Sequence, residues 1–423
     1  CKETDADGTP MVIKFVTPIW GEQLAGDEWD YELHTRLCTI GWRQCEGCPA
    51  MYYYFDSVDA NGNASDCRLL KIVDDLGFSE SDPDQRITKA TIDALKSAYD
   101  GQVTSDLSPS SFAGFKVSID RLNASTVVTL SQTQKVDEAM REHMPAVLES
   151  SVKPADIVEG AQLKVLLDQL KLPSPSSAKL SRDQKITQQI IGAIKYFERG
   201  TCPRLTRMVH RLSCIMSCPP PEALVAARSV LYHAHVHRDD ALVFKSGNAT
   251  RTPASADGRM SFVLSEGAPD ELEVSADAST SPHDVYSVLI TYAGAAVLHK
   301  TKKIGIAVGS THDAENVATV KASEDAIYAR IILRALGVPP VGPTTVITDN
   351  LSNMRVSLNA HAASSSRYYL IRSVCLHQRV ADGELTVVHT PDPENPSDYL
   401  TKFIDATKST ASVLYAMGKR ATS

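Results

Sequence analysis

The spacing of apolar residues divides the chain into three stretches. From about Arg182 to Phe244 the apolar positions recur at helical spacing, and from about Met260 strand-like and helix-like runs alternate. The stretch before them is mixed. Two segments interrupt the periodicity, Leu172 to Ser181 and Ser246 to Gly258; they gather Pro, Ser, Gly and Asn and read as linkers. The predicted domains are 1–171, 182–245 and 260–405, followed by a tail at 406–423.

The last domain has the clearest pattern. Leu272, Val274 and Ala276 alternate with polar residues, and the β-rich runs Val285 to Tyr292 and Ala295 to His299 flank Ala293-Gly294, which predicts three antiparallel strands. From Glu315 to Leu336, Val317, Val320, Ile327, Ile331 and Ala335 recur near helical spacing until Gly337 stops them. Thr344 to Thr348 and Leu385 to His389 are short apolar strands. The order βββαβαβα predicts an α/β (α+β) fold with a mixed five-stranded sheet and flanking helices.

At 43% hydrophobic and 22% charged, with no apolar run near the ~20 residues that span a bilayer, the sequence points to no membrane partner. Nine cysteines at irregular spacing favour reduced thiols and a cytoplasmic or nuclear location over a disulfide framework. The start, Cys1-Lys2-Glu3-Thr4-Asp5, has neither a secretory pattern nor an initiating Met, as expected where an upstream segment is missing. A net charge of −8 argues against wholesale electrostatic binding of nucleic acid but leaves room for a local basic groove.

Acidic residues mark where elements begin or end: Asp277, Glu315, Asp349 and Asp398. Hard divalent cations take oxygen ligands from several elements, and a pair of them promotes phosphodiester cleavage, so four converging carboxylates would suit that chemistry. Taken singly, each acid also has a plain reading. Asp349 and Asp398 would form caps or turns, and Glu315 would favour a helix N-terminus.

The motifs occur in an order that resembles one known family. Ser275-Ala276-Asp277-Ala278, Ser310-Thr311-His312-Asp313-Ala314-Glu315, Thr348-Asp349-Asn350 and Pro396-Ser397-Asp398-Tyr399-Leu400-Thr401-Lys402 resemble the acidic motifs of the ribonuclease H domain of copia-type retrotransposon polyproteins. Upstream, Pro18-Ile19-Trp20-Gly21, Trp29, Gly41-Trp42 and Ile72-Val73-Asp74-Asp75 resemble landmarks of the reverse transcriptase palm in that family. Phe112 to Phe115, Leu130-Ser131-Gln132 and Ile191 to Tyr196 resemble its later segments.

The resemblance implies an incomplete palm and thumb, a helical connection and a ribonuclease H-like domain. It also implies Mg²⁺- or Mn²⁺-dependent hydrolysis of RNA in an RNA–DNA hybrid. Asp277 and Asp349 would bridge or flank two metals, Glu315 would sense the 2′-hydroxyl and Asp398 would complete the second metal site. Asp74 and Asp75 match the polymerase carboxylates. His389 is the candidate for proton transfer, and Lys300, Lys302, Lys303 and Arg367, with His299 and Arg372, are candidate phosphate contacts.

Several positions depart from the family pattern. Ile72 replaces Tyr, Cys202-Pro203-Arg204 replaces Arg-Pro-Asp, Ala113-Gly114 replaces Leu-Gly, His299-Lys300-Thr301 replaces Trp-Lys-Ser, and Arg367-Tyr368-Tyr369 replaces Lys-His-Ile. The palm strand carrying a further polymerase Asp would precede this chain, so independent DNA synthesis is not expected. A partner chain supplying the missing fingers and palm segment would restore it. The competing class is a non-enzymatic structural subunit of a larger assembly, which the acidic charge, the incomplete polymerase and the replaced His support.

Other groupings are weighed against plain packing. Cys45 and Cys48, with Cys38 and Cys67, have zinc-ligand spacing but read better as free thiols. His210, Cys214 and Cys218 share a helix face and read as core. His233, His235 and His237 alternate as if on an extended segment, either as ligands or, more simply, as exposed residues.

Overall fold

The structure is a computed structural model that describes residues 25–54, 66–107, 109–122, 125–150, 152–172, 179–245, 272–281, 283–359, 367–402 and 406–419. It is a mixed α/β protein with three sheets among the described residues. The chain divides into two compact units, 1–108 with 331–339, and 109–330 with 340–423. The breaks expected from the linkers at 172–181 and 246–258 are not the boundaries of compact packing; segment 246–258 itself lies outside the described residues, as does Pro18 to Gly21.

In the first unit, α1 (Ala25–Thr39) precedes a meander of β1 (Trp42–Cys45), β2 (Cys48–Tyr54), β3 (Cys67–Ile72) and β4 (Asp75–Glu80), and α2 (Arg86–Ala98) follows. Neighbouring strands are antiparallel in that order. Gly41 turns the chain from α1 into β1 at φ +103°, where a Cβ would come within 2.9 Å of the Tyr54 hydroxyl oxygen, so only glycine fits. Gln85 offers α2 no side-chain cap; instead Glu80 at the end of β4 accepts from the Ile87 and Thr88 amides at 3.0 and 2.9 Å.

The core of this unit is Leu33, Leu37, Trp42, Tyr52, Cys67, Leu69 and Leu95. The Trp42 indole donates to Thr91 Oγ1 at 3.0 Å and meets Tyr54 edge-on at 5.4 Å, so its one polar atom is satisfied inside the core. Cys45 and Cys48 face each other across the β1–β2 hairpin and pack with Met51, Ile332 and Ala335. Cys67 lies in the Trp42 cluster and Cys38 is exposed, so these cysteines form no four-thiolate site.

The second unit begins with β5 (Ser111–Phe112), β6 (Phe115–Leu122) and β7 (Ser125–Ser131). Helices α3 (Thr133–His143), α4 (Pro145–Ser150), α5 (Gly160–Gln169), α6 (Arg182–Gly200), α7 (Thr206–Cys214) and α8 (Ala223–Val236) follow, then β8 (Leu242–Lys245). The region expected to be helical to residue 245 therefore ends in a strand, and β8 closes a four-stranded sheet by pairing with β7. Helix α6 starts with a reciprocal capping box between Ser181 and Gln184 and buries Ile190, Ile191, Ile194 and Phe197 in a core shared with Ala226, Ala227, Val230 and Leu231 of α8.

His233, His235 and His237 lie on and just after α8, not on an extended segment. Four-residue spacing brings the tilted His233 and His237 rings to 4.7 Å between centroids, while His235 turns toward Asp137. His210 and Cys214 lie one turn apart on α7 and are half-buried rather than core, and Cys218 lies past the end of that helix; burial pushes the His210 imidazole down to about 3.

The remaining elements are β9 (Glu273–Ser279), β10 (Val285–Tyr292), β11 (Ala295–Lys303), α9 (Thr311–Ala335), β12 (Thr344–Thr348), α10 (Leu351–Leu358), α11 (Arg367–Ala381), β13 (Leu385–His389) and α12 (Ala406–Ala416). The sheet order is β11-β10-β9-β12-β13; the first three strands are antiparallel, and β12 runs parallel to both β9 and β13. Two expectations need correction. Asp398 opens a short 3-10 turn (Asp398–Leu400) rather than the last helix, and residues 406–416, expected as tail, form α12 and bury Val413, Tyr415 and Ala416 beside Tyr399 and Leu400.

A buried polar contact joins the helices to this sheet. His299 of β11 places Nδ1 2.8 Å from Thr206 Oγ1 and 3.7 Å from Glu198 Oε1, with the imidazole and the carboxyl both nearly inaccessible. Burial raises the Glu198 carboxyl to about 7 and lowers the His299 imidazole to about 4. His299 is therefore a packing residue and not a phosphate contact.

Two outcomes follow from this packing. Trp42→Ala should cost about 3–5 kcal/mol, read as amide-exchange protection lost from β1–β3 while the β9–β13 sheet keeps its protection. Because the Glu198 carboxyl is raised, its stabilising contribution is complete below its ordinary value and is lost as pH rises through about 7. Glu198→Gln should therefore match the wild type near pH 4.5 and exceed it at pH 8 by on the order of 1–3 kcal/mol in urea denaturation.

Candidate metal centre

Strand register brings the first two acids together. The parallel pairing of β12 with β9 sets Thr345 against Glu273 and Ile347 against Ser275. The same register carried on two residues puts Asp349, just past the end of β12, level with Asp277. Helix α9 starts over this sheet edge, and Glu315 in its second turn accepts from the Ala278 amide at 3.1 Å. One carboxylate oxygen from each of Asp277, Glu315 and Asp349 lies within 4.8 Å of the others.

The backbone around the acids is held by side chains. Asn350 caps α10, accepting from the Ser352 and Asn353 amides, and its Nδ2 lies 3.0 Å from His312 Nδ1. Asn395 donates to the Ala276 carbonyl at 3.0 Å and accepts from the Ser397 amide and hydroxyl. Thr301 donates to the Leu400 carbonyl at 2.6 Å, and Thr401 donates to Asp277 Oδ2. These contacts tie the 395–401 segment to β9 and β11.

Asp398 reaches the cluster through a cation. Lys402 Nζ lies 2.6 Å from Asp398 Oδ1 and 3.7 Å from both Asp277 Oδ1 and Asp392 Oδ1. The sequence motif contained Thr401 and Lys402, yet residue type alone assigned them no role, because a lysine four residues after an aspartate is common on any helical turn.

Like charges this close are costly out of water: at an effective dielectric of about 20, two unit charges 4 Å apart repel by about 4 kcal/mol. Burial, reinforced by the neighbouring carboxylates, pushes Asp277 and Glu315 well above the ordinary carboxylate range, and burial raises Asp349 too; Lys402 opposes all three shifts. Burial alone would lower the Lys402 ammonium, but Asp277 and Asp398 overcome it and hold the amine charged. Asp277 Oδ1 and Glu315 Oε2 are buried without a hydrogen-bond partner. Oxygen atoms left open in a negative pocket fit a divalent cation, so Asp277, Glu315 and Asp349 could hold a metal ion.

The other predicted residues lie further out. His389 ends β13 opposite Thr348, two strands from β9, and its Nδ1 is buried without a hydrogen-bond partner. Lys300 is engaged by Asp325 at 2.5 Å and Arg372 by Asp313 at 2.8 Å, whereas Lys302 and Lys303 are exposed on the edge strand β11. The Arg367 side chain lies outside the described residues. Asp74 and Asp75 sit exposed at the β3–β4 turn, where Val73 takes φ +57° and its carbonyl accepts from the Trp29 indole at 3.1 Å. Among the described residues no third metal-ligating side chain joins them.

Raised carboxyls stabilise the folded chain most at low pH and lose that contribution as pH rises from about 4 through their folded values. Without divalent cations, Asp277→Asn should therefore melt about 2–8 °C above the wild type at pH 8, with the gap closing toward pH 4. Added Mg²⁺ should raise the melting temperature of the wild type and not that of the variant.

No protein-family model and no curated protein matches this chain. Among the described residues no helix is long and apolar enough to cross a membrane. A solved structure of the foamy viral protease-reverse transcriptase in complex with RNA/DNA hybrid is a structural neighbour, at TM-score 0.29 and 13% identity. The similarity covers 58% of this chain and 29% of that one, so the chain spans under a third of the protein it matches.

Proposed function

We propose that this chain is a copia-like retroelement product, the C-terminal part of a reverse transcriptase joined to a ribonuclease H domain, and that it hydrolyses the RNA strand of RNA–DNA hybrids with Mg²⁺ or Mn²⁺. The observation that carries the reading is the triad of buried Asp277 with half-buried Glu315 and Asp349 at one end of two parallel strands, with one oxygen each of Asp277 and Glu315 lacking a hydrogen-bond partner. The four acidic motifs named above supply the order in which these residues occur.

Asp277 and Asp349 would hold the cation, which when bound would stabilise charge on the scissile phosphate and ease deprotonation of water. Glu315, fixed by the Ala278 amide, would meet the 2′-hydroxyl that separates RNA from DNA. Thr401 orients Asp277 by donating to Oδ2, leaving Oδ1 toward the cluster. His389 is the proton-transfer candidate, and the exposed Lys302 and Lys303 the phosphate contacts. Polymerase chemistry at Asp74 and Asp75 would need a partner chain that supplies the missing acid.

A structural subunit without catalysis is the second reading. It is favoured by basic side chains committed inside the protein, with Lys300 bound to Asp325 and His299 buried against Thr206. Cleavage of a labelled RNA–DNA hybrid separates the two. The enzyme reading expects cleavage that falls about a hundredfold to ten-thousandfold in Asp277→Asn and in Glu315→Gln, as the loss of several kcal/mol of transition-state stabilisation requires. A folded chain that leaves the hybrid intact in Mg²⁺ and Mn²⁺ supports the structural subunit.

A further inference from the structure

The acidic cluster already contains a positive charge, and the backbone fixes its position. Lys402 follows Asp398 by one turn, its amide donates to the Asp398 carbonyl at 3.1 Å, and its ammonium therefore returns to the same face. Thr401, one residue earlier, donates both to Asp277 Oδ2 and to the Asp398 carbonyl. The turn is thereby anchored to the central strand, and from it the partly exposed Lys402 side chain reaches Asp398.

We propose that the Lys402 ammonium is a resident cation that takes the place of one of two divalent ions, so that the chain holds a single divalent cation between Asp277, Glu315 and Asp349. The inference rests on the metal-centre reading above. Asp398 is 2% exposed and Asp277 is fully buried, so water cannot neutralise either of them; the ammonium 2.6 Å from Asp398 Oδ1 does so for the first. Its distance of 3.7 Å to Asp277 Oδ1 is too long for a hydrogen bond, which leaves that oxygen open on the side shared with Glu315 and Asp349.

Asp277, Glu315, Asp349 and Asp398 together carry four negative charges when ionised, and one divalent cation with one ammonium supplies three positive ones, so the site keeps a net negative charge, with Asp392 also 3.7 Å from the ammonium. A second divalent ion beside Asp398 would have to displace the ammonium or sit against it, and like charges at that separation repel strongly in a buried site. The lysine also explains how the fourth acid stays buried without a metal, because its partner is covalently part of the chain.

The test counts ions directly. Mn²⁺ binding to the full chain is followed by electron paramagnetic resonance of the free ion, with and without a non-cleavable 2′-O-methyl RNA–DNA hybrid. The expected result is one Mn²⁺ per wild-type chain in both conditions, one on Lys402→Arg, and a second on Lys402→Met and Lys402→Gln when the hybrid is present. Two ions on the wild type, or one on both uncharged variants, overturn the role of the lysine while leaving the metal centre intact. No Mn²⁺ on the wild type overturns the metal centre itself, and this inference with it. Circular dichroism identifies any variant that has not folded, and the two uncharged variants back each other up.

Discussion

A carboxylate buried on the central strand of a sheet cannot keep its charge unless something nearby answers it. Asp277 is in that position on β9, with β10 on one side, β12 on the other and the 395–401 segment across its end. Its neighbours make the demand greater, since Glu315 and Asp349 bring two further acids to the same point. Protons, a divalent cation and the Lys402 ammonium are the available answers, and burial together with the neighbouring acids raises the Asp277 and Glu315 carboxyls toward the first. Storing unfavourable charge in this way is how a fold prepares a site for a ligand that stabilises it on binding.

Much of the surrounding polar structure holds that arrangement in place. Asn395, Thr301 and Thr401 each donate a side-chain hydrogen bond to the backbone or carboxylate next to the acids, Ser397 holds the Asn395 amide oxygen through its own amide and hydroxyl, and Asn350 fixes the chain after Asp349. The C-terminal helix supports the same segment from behind, because Val413, Tyr415, Ala416 and Met417 share a core with Tyr399 and Leu400. The helices α6 and α7 meet the sheet at His299, where Glu198 and Thr206 make a second buried polar contact. Removal of a partner from either set would leave a buried polar atom unsatisfied.

The first unit shows the opposite situation. Its carboxylates Asp74 and Asp75 lie exposed at a hairpin tip, and among the described residues no third metal-ligating side chain joins them. The turn is nonetheless unusual, because a β-branched residue, Val73, takes a left-handed conformation there and its carbonyl is held by the Trp29 indole. The hairpin borders a well-packed core around Trp42, and among the described residues its acids are not part of a metal-ligating cluster.

The sequence by itself determined most of the secondary structure of the β9–β13 region, since period-two and helical spacing are local properties of the chain. It also ordered Asp277, Glu315, Asp349 and Asp398 as one set. It misplaced the start of the last helix, took β8 for helix and α12 for tail, and treated His299 as a phosphate contact, because each of those depends on what packs against it. Only the tertiary structure decided that three of the acids meet within 4.8 Å while the fourth is met by Lys402. Parallel register between strands far apart in sequence brings the acids level, and a lysine one turn from an aspartate has no distinguishing pattern until its surroundings are buried.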